Sequence, residues 1–452
     1  MNNIVTSVDD NRTFFTDFNN PFPTGVQNFP GRDASFQQAL LGGTASQFYR
    51  DEGGYPGYTH QWNVALQHQF LNNLSTEITY TGLYGYHLPN TLNMNQLGRE
   101  YIDRAANDPS VCSLTNNQII PQGQPGYVSS QRDSCYGAYL RQQVPNPFAG
   151  LIREGSLSTQ TVQRALLLVP SPQYASANRP GYFGSSRYHA LQLRAEKRFG
   201  AGGLVGGNYT FSKNMTNVET LTNWLESGAG TPSAGYQANN LDDEWALSSF
   251  DVRHRIVLNY VVDLPFGEGR QFLSGASGIV RNLVSGWSLN GVTTFQSGFP
   301  LGFTATPNLI GSGYGLRPNV DPNCDKTVEG SALARLDQWF NTSCFSVPNA
   351  GFVAANPSSD PRLRWQLGNE PRTDPDLRGH GIDNWNLAVA KTTRVRNRVN
   401  VTLRAEAFNL FNRVQFGLPN TQVTTAATTT LGRVTTQANQ PRLMQLAVRL
   451  AF

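Results

Sequence analysis

The sequence predicts an all-β chain: an antiparallel transmembrane β-barrel, about nine spanning strands of a larger barrel, with long extracellular loops. Three observations predict it. The last stretch, Arg442 to Phe452, puts Met444, Leu446, Val448, Leu450 and Phe452 on one parity and Gln445, Ala447, Arg449 and Ala451 on the other. Successive side chains of a strand point to opposite faces, so this strand has one apolar and one polar-leaning face. Similar stretches recur in pairs across short turns, and long links separate the pairs. Aromatic residues mark both strand ends on the apolar parity: Phe70, Phe199, Trp287 and Phe452 at the short-turn end, Tyr84, Phe211 and Phe295 at the long-link end. Outer-membrane barrels have short periplasmic turns, long outer loops and two aromatic girdles. An all-β sandwich also alternates, but nothing in it would segregate short from long links.

Residues 1–57, rich in Asn, Asp, Gly, Pro and Phe, have no sustained period and are expected to be a loop or remnant before the barrel portion, 58–452. Tyr58–Phe70 is the first clear strand, with Trp62, Val64, Leu66 and Phe70 opposed to Gln61, Asn63, Gln67 and Gln69. Leu74–Tyr84 returns from it, with Leu74, Ile78 and Tyr80 against Ser75, Glu77 and Thr79. So short a link makes an antiparallel hairpin. An irregular segment from Gly85 to about Arg187 follows. Tyr188–Phe199 and Leu204–Ser212 then form a hairpin across Gly200–Gly203. Arg253–Leu264 carries Ile256, Leu258, Tyr260 and Val262 on one face, and Trp287–Ser297 carries Trp287, Leu289 and Phe295. The connection between them, Pro265–Gly286, is longer than the other turns. After a long loop, Phe299–Asn384, come Trp385–Thr392, the basic turn Thr393–Arg398 and Val399–Phe411. A last loop, with a short segment Leu431–Thr436, leads to the closing strand.

Composition agrees with strands that touch lipid on alternate residues. Charged residues are 15%, aromatics 11%, and there are 43 Gly, 17 Tyr and 25 Phe, with a mean hydropathy of −0.39. No run approaches the roughly 18–20 apolar residues of a spanning helix. A net charge of +4 gives no basis for a nucleic-acid partner. The four cysteines fall into two local pairs, Cys112 with Cys135 and Cys324 with Cys344, which predicts two loop disulfides made in an oxidising compartment. The first residues, MNNIVTSVDDNRTFF, are not a secretory signal. An odd antiparallel set also leaves its first and last strands parallel, whereas bacterial single-chain barrels normally have even counts. Both features lead to the expectation of a C-terminal part of a larger barrel.

Several phrases resemble a known family. They are Tyr188–Phe199 (YHALQLRAEKRF), Tyr209–Lys213 (YTFSK), Phe250–Gly267 (FDVRHRIVLNYVVDLPFG), Gly286–Leu301 (GWSLNGVTTFQSGFPL) and Leu403–Asn412 (LRAEAFNLFN), with the terminal Phe452. Together they resemble the C-terminal barrel of Oar-like TonB-dependent receptors over roughly 58–452. The resemblance implies a barrel of about 22 strands in the bacterial outer membrane, its lumen filled by an N-terminal plug domain. It also implies import of a bulky nutrient with energy passed through TonB. The plug, TonB box and early strands of that family have no counterpart here. Implied partners are outer-membrane lipid, plug, TonB and an unknown nutrient ligand.

No enzyme, cofactor or metal site is expected. The six histidines, 60, 68, 87, 189, 254 and 380, have no zinc-ligand spacing. The cluster Asp251, Arg253, His254 and Arg255 reads as polarity of the lumen or rim rather than an acid–base site. Gly200–Gly207 lacks the phosphate-loop pattern and reads as a turn. Inward polar residues such as Asn259, Asn290, Gln296, Arg404 and Glu406 are expected to meet a plug or water. Met444, Leu446, Val448, Leu450 and Phe452 resemble the signal that the barrel-assembly machinery reads by strand pairing. Two other functions fit the composition: a passive porin or structural outer-membrane barrel, and a secreted all-β binding or adhesion protein.

Overall fold

The computed structural model describes residues 42, 44–46, 56–70, 73–107, 136–152, 157–200, 202–218, 240–310, 314–350, 362–396, 399–426 and 430–452. Nine long strands form one meander: β1 (Tyr58–Phe70), β2 (Leu74–Asn93), β3 (Ser176–Arg198), β4 (Gly203–Thr216), β5 (His254–Asp263), β6 (Trp287–Gln296), β7 (Ile382–Arg396), β8 (Val399–Phe408) and β9 (Leu443–Ala451). Each pairs antiparallel with its sequence neighbours. Among the described residues β1 pairs only with β2 and β9 only with β8, so both outer edges of the sheet are bare.

Register decides what each face carries. Leu258 lies opposite Gly207 and Thr293, Leu289 opposite Val262 and Val389, and Leu446 opposite Ala405. The apolar parities of all nine strands therefore fall on one side, and Gln61, Glu77, Arg194, Asn208, Asn259, Asn290, Asn386, Arg404 and Gln445 on the other. Among the described residues nothing covers the apolar side: Leu66 is 71% exposed, Ile78 50%, Phe211 46%, Leu403 51% and Leu446 81%. Two glycines on this side seat aromatic rings. A Cβ on Gly82 would meet the Trp62 indole at 2.3 Å, and one on Gly291 the Tyr260 ring at 2.5 Å. Polar atoms there are paired as well. Tyr80 Oη lies 2.8 Å from His189 Nδ1, and Tyr209 Oη 2.9 Å from His254 Nδ1.

The strands outrun their alternation. β2 was expected to end at Tyr84 and continues to Asn93, while β3 begins at Ser176 rather than Tyr188. β4 runs to Thr216 and β7 from Ile382 to Arg396, beyond the expected Ser212 and Trp385–Thr392. A spanning strand needs about 9–11 residues. The outer parts of β2 and β3 thus lie past any hydrocarbon, where backbone pairing persists and no lipid imposes a period of two. Tyr84 and Phe211 consequently mark a level on the strands and not their ends. β1 keeps its expected ends, and four strands are shorter by one to three residues at an end: β5 stops at Asp263, β6 at Gln296, β8 at Phe408 and β9 at Ala451. β8 stops because Asn409 takes a positive φ of 53°.

The links also differ from their expected irregularity. Thr44–Ser46, within the stretch expected to be loop, pairs parallel with Ser176–Asn178. Leu431–Thr436 forms no strand; next to it Phe416 and Gln437 make an isolated bridge. The long links hold helices α1 (Arg99–Ala106), α2 (Tyr136–Arg141) and α3 (Arg164–Leu167). They share a core in which Leu97, Phe303, Phe340 and Trp365 are each fully buried. Phe303 stacks on Phe345 with centroids 4.4 Å apart. Trp365 Nε1 donates to Gly137 O at 3.1 Å, and Tyr314 Oη to Leu97 O at 2.8 Å, joining links more than two hundred residues apart in sequence. The overlong β5–β6 connection contains helix α4 (Gly278–Val284).

The two faces of β9 make a direct test of solvent assignment. Leu446→Arg is expected to cost the folded protein about 2–4 kcal/mol in bilayers. Gln445→Arg, one residue away on the other face, is expected to change it little. Urea unfolding in vesicles reads both, and equal cost at the two positions would contradict the assignment.

Candidate functional site

The polar face of the sheet is a charged and amide-lined wall. Glu196 lies between Arg194 and Arg198 on one face of β3, at 3.2 Å from each. These are neighbours because same-face residues of a strand are two apart. Arg404 pairs with Glu406 in the same way on β8. Thr79 Oγ1 donates to Glu77 Oε1 at 3.0 Å, and Glu77 stands opposite Arg194 in register. Exposed pairs of this kind contribute about 0–1 kcal/mol each, so they dress the wall more than they hold it. Between β5, β6, β7 and β8 the wall is indented by a cavity of about 290 Å³. Asn259, Asn290, Asn386, Arg404 and Glu406 give its polar lining, and Val261, Val292 and Phe408 an apolar portion.

At the long-link end, buried charges tie the loop core to the strands. Arg317 and Glu244 are 6% and 0% exposed and meet at 2.5 Å. Arg372 donates Nε to Glu244 O at 2.9 Å and Nη2 to Thr216 O at the end of β4. Arg378 meets the Asp251 carboxylate at 2.5 Å, and Asp251 also accepts Asn214 N of β4 at 2.7 Å. Lys326 Nζ lies 2.7 Å from Asp374 Oδ2, whose other oxygen accepts the backbone N–H groups of Asp376 and Leu377. Losing one member of such a buried pair costs more than the pair contributes, because the other charge is left uncompensated. Close by, burial and then the neighbouring Asp374 push the Glu370 carboxyl up to about 8. Glu370 is therefore protonated at neutral pH.

Among the described residues the sheet has an apolar, uncovered face and a polar, charged one. A family model described as an outer membrane beta barrel domain matches residues 2–445. The chain belongs to that family. Its place is the bacterial outer membrane, the apolar face meeting lipid and the polar face the lumen. By sequence, no curated protein matches it. Among solved structures, it is similar to the outer membrane transporter YddB from Escherichia coli, at 9% identity and a TM-score of 0.38 over 90% of this chain and 34% of that one. It is also similar to the ferric citrate transporter FecA in the unliganded form, at 10% identity and a TM-score of 0.30 over 87% and 30%. The chain thus spans about a third of the length of these transporters.

In this outer-membrane barrel the residues singled out from the sequence fall in separate places. Cys324 and Cys344 are bonded within the loop core, their Cα atoms 5.5 Å apart. Cys112 and Cys135 lie outside the described residues. Met444, Leu446, Val448 and Leu450 line the lipid side of edge strand β9, and Phe452 beyond it is fully exposed. Asp251, Arg253, His254 and Arg255 do not meet as one site. Asp251 binds Arg378, His254 joins Tyr209 on the lipid side, and Arg255 falls on the lumenal parity. Among the described residues no group of His, Cys, Asp and Glu is placed to hold a metal.

Sequence reasoning passed over the buried charges at the loop core. Their one local signal is Asn369–Arg378 (NEPRTDPDLR), where Glu370, Arg372, Asp374, Asp376 and Arg378 concentrate charge in a chain that is otherwise 15% charged. Glu370 keeps its proton up to a pH of about 8 in the folded loop core but loses it near 4.5 when unfolded. Stability from this group is complete below 4.5 and is lost as pH rises through about 8. The loop core is therefore expected to melt at lower temperature as pH climbs through that window, and Glu370→Gln to flatten the dependence. Hydrogen exchange of the loop-core amides measures it, and an unchanged pH profile in the variant would contradict the assignment.

Proposed function

We propose that 58–452 is the C-terminal barrel wall of an Oar-like TonB-dependent receptor, and that residues 1–57 precede it. The receptor imports a bulky nutrient through a lumen occupied by a plug domain, with energy from TonB. The observation that carries the reading is the charged lumenal wall beneath a packed loop core. The 290 Å³ indentation with Arg404 and Glu406 on one side and Val261 and Phe408 on the other is a surface on which a plug or ligand would rest. The edges of β1 and β9, bare among the described residues, support further strands. Unpaired N–H and C=O groups facing hydrocarbon cost several kcal/mol each, so each edge takes a partner strand in the membrane. The family resemblance in Tyr188–Phe199, Phe250–Gly267 and Leu403–Asn412 points the same way. Uptake, not catalysis, is the role proposed.

The full gene product in a planar bilayer discriminates a plugged receptor from a passive pore. A plugged receptor is expected to hold no steady conductance, and an ohmic open channel would replace this reading with a porin. The apolar parity of β9 is further proposed as the signal read by the barrel-assembly machinery. Deletion of Phe452 is expected to lower the fraction inserted in the outer membrane several-fold. Insertion at the parental level would reject that role.

A further inference from the structure

Helix α4 and the loop before it expose a set of apolar side chains at the short-turn end of the barrel. Ile279 is 83% exposed, Val280 57%, Leu283 66%, Leu273 57%, Phe272 49% and Phe266 42%. Ile279, Val280 and Leu283 are spaced to share one side of the helix, with Arg281 and Asn282 opposite. No residue of α4 is buried. A seven-residue helix is far below the length at which helices persist alone in water, so something must cover it.

The attachment of α4 shows what covers it. The C-terminal turn of the helix is held by two side chains, and both stand on the lipid side of the sheet. Trp287, the first residue of β6, donates Nε1 to Leu283 O at 2.8 Å. Lys391 of β7, opposite Trp287 in register, donates Nζ to Asn282 O at 2.6 Å, Leu283 O at 3.1 Å and Ser285 O at 2.9 Å. The same ammonium sits 5.1 Å from the Trp287 ring centre. The helix is thereby fastened to the outside of the wall, continuous with the lipid-facing belt, at the level where a Trp and a Lys ordinarily mark the membrane boundary. Under the lumen it would need anchors from the opposite parity, such as Ser288 or Ala390.

We propose that Phe266–Leu283 is an interfacial foot: α4 lies in the periplasmic phospholipid leaflet, with Ile279, Val280 and Leu283 among the acyl chains and Arg281 at the headgroups. It rests on the assignment of short turns to the periplasm. The loop ahead of it is stiffened for this. Arg270 pairs with Asp263 at 2.9 Å, Phe266 and Phe272 pack with centroids 5.9 Å apart, and Leu273 is held at a φ of +54° with its side chain outward. Such a conformation is uncommon for a bulky residue. The sequence-level oddity of an overlong periplasmic turn then has a purpose, since a two-residue turn has no room for a foot.

Photo-crosslinking in intact cells tests this. p-Benzoylphenylalanine is placed at 279 or 283, at 281 as the opposite side of the helix, and at 446 on the lipid face of β9. The expected result is a phospholipid adduct, identified by mass, at 279, 283 and 446, each several-fold stronger than at 281. Adducts at 446 alone, or crosslinks from 279 and 283 to another protein or a second copy of this chain, would overturn the foot and leave the barrel standing. No lipid adduct at 446 either would overturn the membrane reading and the foot together.

Discussion

In hydrocarbon no water is available to a peptide group, so every backbone N–H and C=O must find a partner within the protein. That constraint governs the sheet. It forces continuous ladders from β1 to β9, and the ladders lock register, because a slip of one residue would exchange the two faces of a whole strand. With register locked, the side chains sort by solvent: Leu66, Ile78, Leu193, Ile256, Leu403 and Leu446 to one side, Gln67, Glu77, Arg194, Asn259, Arg404 and Gln445 to the other. The same rule explains the polar atoms tolerated on the lipid side. Tyr80 with His189, and Tyr209 with His254, each satisfy a hydroxyl and a ring nitrogen on adjacent strands.

The membrane therefore made the middle of the fold legible. Tyr58–Phe70 has the same ends in sequence and structure, since its alternation runs the whole length of β1. The outer half of β2, reaching Asn93, was not legible. Past Tyr86 the register shifts twice, at Tyr86/Leu88 and at Leu88/Pro89, and Leu92 is buried at 4% exposure, so the membrane's period of two is not written there. Gly82 and Gly291 show a second kind of silence. Their role under the Trp62 and Tyr260 rings depends on a neighbour in the adjacent strand, which a single strand's pattern does not contain.

The loop core was hidden for another reason. Its contacts join Leu97 to Tyr314, Gly137 to Trp365 and Thr216 to Arg372, and no local pattern encodes partners so far apart. What the links do carry locally is Pro, Gly and Asn, which read as irregular chain even when packed. The charge-rich Asn369–Arg378 is the exception, and it anchors the core to β4 through Arg372 and to Asp251 through Arg378. The result is a packed outer end held by ion pairs whose loss would leave buried charge.

One side of this sheet touches hydrocarbon and the other water. Nitroxide labels along β5 of the reconstituted protein measure it most directly, by their collision rates with membrane-dissolved oxygen and with a water-soluble nickel complex. Oxygen collisions are expected to peak at Ile256, Leu258 and Tyr260, and nickel collisions at Val257, Asn259 and Val261, a strict alternation along His254–Asp263. Equal accessibility at both parities, or nickel reaching Leu258 as readily as Asn259, would contradict the account.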